Sequence, residues 1–314
     1  MDLSICILTR NQPDLLPRCV ASCLAEIERE RIASEVIVID NASSDGSPQK
    51  VAKLSPLVRV IRNEANLGFS EANNIGIRAS SGKYVLILND DTEFYPGTLG
   101  MLLRVIDADP RVGGVGPKFL NSDGSFQAGY TLKKFPHLAT VVLGFAKLNR
   151  ILERFPRTRD LVNVDCDAEH GGDVAQLGGA CLLARREALE AVGLFDEDFY
   201  FYFEDTDLCY RLKQAGWRLL YYPEAQITHH GSQSFYKVPR ARMATLYFEG
   251  LICYFRKHSN PLRFLIFKLA LAALLCLKMP LAFLLSLSPR SGDRERGKRT
   301  VSIYSKILRS LLFT

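Results

Sequence analysis

The sequence predicts an α/β fold: a mostly parallel sheet with flanking helices, followed by a basic, apolar helical tail. Three observations carry this. Over the first hundred residues, short apolar runs alternate with segments whose apolar residues recur at helical spacing, the pattern of right-handed βαβ crossovers. One run, Tyr84-Val85-Leu86-Ile87-Leu88, is uninterrupted, as in a strand buried on both faces, and breaks abruptly into Asn89-Asp90-Asp91-Thr92. After residue 255 the composition changes: 12 Lys and Arg stand against 2 Asp and Glu in a largely apolar segment.

The elements follow in order. Residues 3–8 form a first strand, ending at Thr9-Arg10-Asn11. Residues 14–28 place Leu15, Leu16, Cys19, Val20, Leu24 and Ile27 at helical spacing. Residues 35–39 are a second strand that ends in Asp40-Asn41, and Ser47-Pro48 supplies an N-cap and first-turn pair for the next helix. Residues 58–61 are a third strand; Asn66-Leu67-Gly68-Phe69 turns into a helix over 70–79. The apolar run at 84–88 is the fourth strand. A helix over 98–107 and a strand over 112–115 follow, and no element is assigned over 130–176. A glycine-led strand starts at Gly178-Gly179, and a helix over 185–192 stops at Gly193. The aromatic stretch 199–203 leads into a helix from Asp205 that ends at Gly216. Two short strands, 217–222 and 225–228, run into His229-His230-Gly231.

Length and composition bound the rest. The 314 residues suffice for one large α/β domain with an appendage, or for two domains. No CxxC pair occurs among the eight cysteines, most of which sit in apolar segments. They read as buried free thiols in a reducing compartment. The first residues have neither a basic region nor a long apolar one, so no signal peptide is expected and the globular part is read as cytoplasmic. No GxGxxG follows the first strand and no GxxxxGK[ST] occurs, which excludes a dinucleotide fingerprint and a P-loop. The net charge of +6 belongs to the tail, because residues 1–255 balance to −4. Apolar residues interleave with the tail's cations, which favours an anionic membrane over nucleic acid.

Asp40, Asn66 and Asn89–Asp91 all follow strands or strand-like runs and so can converge on one edge, where open α/β sheets hold ligands. Adjacent carboxylates there repel unless a cation accompanies them, and hard oxygen ligands suit Mg²⁺ or Mn²⁺ arriving with phosphates. Glu204 and Asp205 sit at a helix start. There they are either caps or, kept ionised by the helix dipole, a general base for a sugar hydroxyl. His229 and His230 end a strand and point to opposite faces, so one of them at most completes a metal site.

Four blocks together resemble the family 2 glycosyltransferases, inverting enzymes of GT-A (Rossmann-like) fold. They are Ser4 to Asn11 with the run Asp40-Asn41-Ala42-Ser43-Ser44-Asp45-Gly46-Ser47; Asn66 to Gly76; Leu88 to Thr92; and Gly193 to Glu197 through Phe203-Glu204-Asp205-Thr206-Asp207-Leu208 to His229-His230-Gly231. The resemblance covers about residues 3–235 and is nearest the branch of bacterial rhamnosyltransferases and galactofuranosyltransferases. It implies that Thr9, Asp40 and the adjoining Asn41 hold the nucleobase, Asp40 accepting from a pyrimidine N3–H. Asn66, Gly68 and Asn74 shape the ribose and phosphate side. Asn89, Asp90 and Asp91 match the DXD motif, with Asn89 a departure at its first position and Asp91 the metal ligand. His229 is a second ligand, Asp205 the base, and Glu204 supports either the base or the acceptor. The implied partners are a dTDP- or UDP-linked sugar, with rhamnose the first expectation, and a lipid-linked glycan acceptor in cell-surface polysaccharide synthesis.

The expected division is a catalytic domain over 1–255 and a membrane-associating tail over 256–314. Lys278 and Pro280 interrupt the apolar stretch 262–288, so the reading prefers helices lying at the cytoplasmic interface. The alternative is a helical subdomain packed on the catalytic domain or in a dimer interface. The rival functions are a nucleotidyltransferase-like enzyme and a non-catalytic, membrane-anchored nucleotide-sugar-binding protein. The first lacks its glycine-rich loop here; the second has no use for a base.

Overall fold

The structure, a computed structural model, describes residues 1–127, 134–145, 169–231 and 239–313. Its sheet begins with four parallel strands, β1 (Leu3–Thr9), β2 (Ser34–Asp40), β3 (Val58–Arg62) and β4 (Tyr84–Asn89), in the spatial order β3-β2-β1-β4. Beyond β4 the sheet is mixed. The order continues with β8 (Cys181–Arg185), β6 (Val112–Leu120), β9 (Arg218–His229) and β5 (Thr92–Phe94), while β7 (Gly172–Asp173) pairs with β9. β8 runs antiparallel to both β4 and β6. Several of these strands differ from the sequence reading: β6 runs on to Leu120 rather than stopping at 115, and β7 falls where no element was assigned. β9 is one strand where two were expected, because a shift of register against β6 absorbs Pro223, Glu224 and Ala225. β5 is three residues long, too short to show a pattern of its own.

The helices of this half are α1 (Leu15–Glu30), α2 (Ser47–Val51), α3 (Ser70–Ala79) and α4 (Thr98–Ala108). α5 (Leu138–Phe145), α6 (Arg186–Ala191), α7 (Glu204–Gln214), α8 (Arg240–His258), α9 (Pro261–Ser286) and α10 (Ser291–Phe313) complete the set described. α1 buries Leu16, Cys19, Val20, Cys23 and Ile27, one stripe at helical spacing. Glu26 lies on the same stripe, and its carboxylate accepts from the Gly97 and Leu99 amides at 2.8 and 3.0 Å. It therefore closes the open N-terminus of α4. Arg185, buried in β8, closes the other end of α4 by donating to the carbonyls of Ile106 and Asp109. The described cysteines are free thiols. Burial pushes Cys6 and Cys209 up to about 12, so neither is a nucleophile.

Contacts divide the chain into two compact units. One holds the described strands with α1–α4, α6 and α7; the other holds α5, α8, α9, α10 and residues Phe201–Phe203. α8 thus groups with the tail rather than with the sheet, through packing such as the stack of Phe255 on Phe267 at 4.2 Å. Within this second unit α9 is continuous through Pro280, 26 residues long, and by length and composition able to cross a membrane. Phe267, Leu271, Leu275 and Ala282 form its buried stripe, while Leu262, Leu265, Ile266, Leu269, Leu277, Leu281 and Leu284 are exposed. α10 packs along α9, and Gly297 lets the two backbones meet at Ser286.

Candidate active site

The register of the parallel strands brings the candidate residues to one edge. Thr9 pairs with Asp40 across β1 and β2, and Leu8 pairs with Asn89 across β1 and β4. Asp40 is fully buried: Oδ1 accepts from the Ser43 amide at 2.8 Å, and Oδ2, 3.8 Å from Arg62 Nε, accepts no hydrogen bond. Thr9 Oγ1 is also buried without a partner. Buried acceptors left unmatched are costly, which makes this pair a candidate to receive a ligand's donor. The loops around it interlock. Asn11 and Ala42 are both left-handed, the Asn11 amide donates to Ser43 Oγ, and the Ser44 amide donates to Asn11 Oδ1.

Asn41, Asn66 and Gly68 form one network. Asn41 Nδ2 donates to Asn66 Oδ1 and the Gly68 carbonyl, and Asn41 Oδ1 accepts from Asn63 and the Leu67 amide. Asn41 is therefore fully occupied as an organiser of the loop. Gly68 has a φ of 83°, and a Cβ there would stand 2.5 Å from the Tyr200 carbonyl oxygen. Asn74 lies apart from this network. It is wholly buried, and its amide is engaged by Phe195 and Glu197.

Asp90 and Asp91 follow β4 and are both buried. Asp90 Oδ2 accepts from the Arg10 amide at 3.3 Å, tying the ends of β1 and β4 together. Asp91 Oδ1 accepts no hydrogen bond, yet His229 Nε2 lies 3.2 Å away. Gln127 explains the arrangement. Its Nε2 donates to Asn121, which leaves Oε1 to accept from His229 Nδ1 at 2.7 Å. A neutral ring that donates from Nδ1 presents a lone pair at Nε2. A carboxylate oxygen and an imidazole lone pair then face each other, an arrangement that a cation between them satisfies. The donor set, one oxygen and one nitrogen, fits Mn²⁺ or Mg²⁺. Among the described residues no cluster of three or more His, Cys, Asp or Glu is found; Asp91 and His229 are the two side chains here that could hold such an ion. His230 turns away from Asp91, to Glu93 Oε1 at 2.5 Å and Ser122 Oγ at 2.8 Å.

Glu204 and Asp205 open α7. Asp205 is half-buried, with Oδ2 accepting from the Gly179 amide at 3.1 Å and Oδ1 from the Thr206 amide at 2.7 Å. Gly179 is needed there, because a Cβ would lie 3.3 Å from Asp205 Cβ. Glu204 is buried and its Oε2 has no partner. Burial first, and the neighbouring Asp205 charge second, hold its carboxyl well above the usual range.

The sequence model of glycosyl transferase family 2 matches residues 4–193, more than half of the chain. The chain belongs to glycosyl transferase family 2. An N-acetylglucosaminyl-diphospho-decaprenol L-rhamnosyltransferase of Mycobacterium tuberculosis is 31% identical over 269 residues, 82% of this chain and 85% of the relative. Among solved structures, a mannosyltransferase from Pyrobaculum calidifontis in complex with GDP-Man and Mn²⁺ is similar with a TM-score of 0.55 at 18% identity. It covers 99% of this chain and 87% of its own. GalNAc-T7 with UDP, GalNAc and Mn²⁺ is similar at 0.54 and 20% identity over 73% of this chain and 43% of its own. These likenesses agree with the mixed sheet: this family 2 glycosyltransferase has the GT-A fold. Sequence reasoning missed Gln127 and Arg62. Gln127 lies in a loop 102 residues before His229, where no motif marks it; Arg62 ends β3 beside Asp40 only through strand register.

Proposed function

We propose that this glycosyltransferase moves rhamnose, with inversion, from a dTDP- or UDP-linked donor to a lipid-linked glycan during cell-surface polysaccharide synthesis. The observation that carries the reading is the presence of two separate carboxylate sites. Asp91 faces His229 at 3.2 Å as a diphosphate-side pair, and Asp205 stands at the head of α7 as a base. A nucleotide-sugar-binding protein needs only the first. Identity with the mycobacterial rhamnosyltransferase across most of both chains supports the choice of sugar and of acceptor.

In this reading Asp40 Oδ2 accepts the pyrimidine N3–H beside Thr9, and the Asn41–Asn66–Gly68 loop shapes the ribose side. Asn74 contributes indirectly, by holding Phe195 and Glu197. Asn89 and Asp90 carry the chain from β4 to Asp91. Asp91 and His229 would hold Mg²⁺ or Mn²⁺, which when bound offsets the charge of the departing diphosphate. Burial first, and the neighbouring charge second, hold the Glu204 carboxyl well above the usual range, and Asp205 is the one of the pair that acts as the base. Asp205 takes the proton of the acceptor hydroxyl. The hydroxyl oxygen bonds the anomeric carbon opposite the diphosphate, the carbon–oxygen bond to the diphosphate breaks, and the configuration inverts.

The enzyme works at the cytoplasmic face of the plasma membrane. The exposed apolar face of α9 and the basic residues Arg294, Arg296, Lys298 and Arg299 of α10 support peripheral attachment to anionic lipid. The test is a thermal-shift screen of nucleotide sugars with and without Mn²⁺, followed by transfer to a lipid-linked acceptor. dTDP-rhamnose is expected to give the largest Mn²⁺-dependent shift. A purine-linked sugar in that place would overturn the donor assignment.

A further inference from the structure

Within the unit that holds the sheet, three groups converge on position 179. The Gly179 amide donates to Asp205 Oδ2 at 3.1 Å. A Cβ at 179 would stand 3.3 Å from Asp205 Cβ, 3.5 Å from Phe69 Cζ and 3.6 Å from Asp205 Oδ2. Gly179 is not among the left-handed glycines, so it serves space rather than conformation. The tip of the Phe69 ring therefore closes the side of this space that faces away from Asp205. Phe69 itself is held from several directions. Its amide donates to the Tyr200 carbonyl at 2.8 Å, and its carbonyl accepts from the Asn73 amide and Asn73 Nδ2, both at 3.0 Å. Its ring meets Phe195 edge-on at 5.7 Å. Phe195 is fixed in turn, its amide donating to Asn74 Oδ1 and its carbonyl accepting from Asn74 Nδ2. The preceding residue, Gly68, accepts from Asn41 Nδ2 at 3.0 Å.

The loop Asn66–Phe69 thus meets Asn41, next to Asp40, at one end and the surroundings of Asp205 at the other. We infer that Phe69 and Gly179 are positioning residues for the base: the ring tip backs the space that Gly179 leaves, and the two together set where the Asp205 carboxylate stands relative to the donor loop. The inference rests on Asp205 being the base. Proton transfer needs that carboxylate within hydrogen-bond reach of a hydroxyl that also faces the donor carbon. Loop and base share one packed scaffold, which fixes their separation. A buried ring locked on both sides of its backbone yields little to a new neighbour. A methyl group at 179 has Phe69 behind it, so Asp205 is the group that gives, by a few tenths of an ångström.

The experiment uses the full chain with Gly179→Ala, Phe69→Leu and their combination, each made with Asp205 present and with Asp205→Asn. Affinity for dTDP with Mn²⁺ is measured by calorimetry, and kcat for transfer from dTDP-rhamnose to a lipid-linked acceptor is measured beside it. Gly179→Ala is expected to lose about 10-fold in kcat with dTDP affinity unchanged, a part of the roughly 10²-fold that a 1 Å misplacement costs. Phe69→Leu shortens the side chain and lets the added methyl move away from Asp205, so the combination should regain most of that loss. Phe69→Leu alone withdraws the backing and should also lower kcat. With Asp205→Asn neither substitution should lower the residual rate further, because no base remains to be misplaced. Wild-type turnover in Asp205→Asn would remove the base reading itself. An inactive Asp205→Asn beside a fully active Gly179→Ala would overturn the positioning role alone. Losses of equal size in both backgrounds, or equal losses of dTDP affinity and transfer, would also overturn it, since they report general damage. Should Gly179→Ala not fold, Phe69→Leu in the two backgrounds decides.

Discussion

At the scale of single residues, the geometry turns on groups whose partners are missing or unexpected. Asp91 Oδ1 accepts no hydrogen bond and faces His229 Nε2 at 3.2 Å, while Gln127 Oε1 engages His229 Nδ1 at 2.7 Å. Asp91→Ala is therefore expected to abolish Mn²⁺-dependent binding of dTDP while leaving the melting temperature nearly unchanged, because this carboxylate supports no core. Calorimetry with and without Mn²⁺ checks it, and undiminished Mn²⁺-dependent affinity would refute the assignment. Glu204 yields a prediction about pH. Its folded-state carboxyl is raised above the usual 4.5, first by burial and then by Asp205. The folded chain thus holds this proton more tightly than the unfolded one. The resulting stability is complete below the ordinary carboxyl range and is lost as pH rises through the raised value. Glu204→Gln cannot ionise, so its stability relative to wild type should be higher at pH 8 than at pH 5 in urea titrations. Parallel pH dependences for the two proteins would contradict this.

At the scale of elements, α4 is held at both ends by side chains from elsewhere in the chain. Glu26 from α1 takes two amides at its start, and Arg185 from β8 takes carbonyls at its end. Glu26→Ala would strand two amide donors beside a buried helix end. The expected cost is about 1–3 kcal/mol, with Glu26→Gln losing less because it keeps an acceptor oxygen. Urea unfolding measures both, and an alanine variant as stable as wild type would show that water replaces the cap without loss. α9 teaches a different lesson. Lys278 and Pro280 suggest a broken segment, yet the helix is continuous from Pro261 to Ser286. Proline removes one hydrogen bond and crowds one carbonyl; helix on either side, packed through Phe267, Leu271, Leu275 and Ala282, outweighs that single loss.

At the scale of the whole molecule, the exposed face of α9 sets the last prediction. Leu277, Leu281 and Leu284 are 78%, 65% and 65% exposed, so changing them removes no core. The triple variant Leu277→Glu, Leu281→Glu, Leu284→Glu is expected to leave the melting temperature within a few degrees. It should free the protein from vesicles containing anionic lipid, since both the apolar and the electrostatic contribution fall. High salt alone should release wild type only in part, because apolar burial is not screened. Vesicle sedimentation checks both. A triple variant that still sediments would assign this face to a contact with a second copy.

The legibility of this chain follows the reach of each physical signal. Strand and helix order, the double burial of β4, the acidic break after it and the glycine-marked turns are local, so the sequence alone determined them. The same holds for the four blocks that resemble family 2 glycosyltransferases. Which side chains meet is a matter of register and direction, and only the tertiary structure decided that. β8 runs antiparallel to β4, and β9 is one bulged strand that brings Thr92 opposite His229. Gln127 engages the histidine's Nδ1 from 102 residues away. Asn41 and Asn74, which the resemblance implies on the donor side, engage their amides with the protein itself, because a buried amide left unpaired is costly. Tyr202 and Phe203 are left-handed with no local mark: aromatic residues disfavour that conformation, and only packing on α8 explains it.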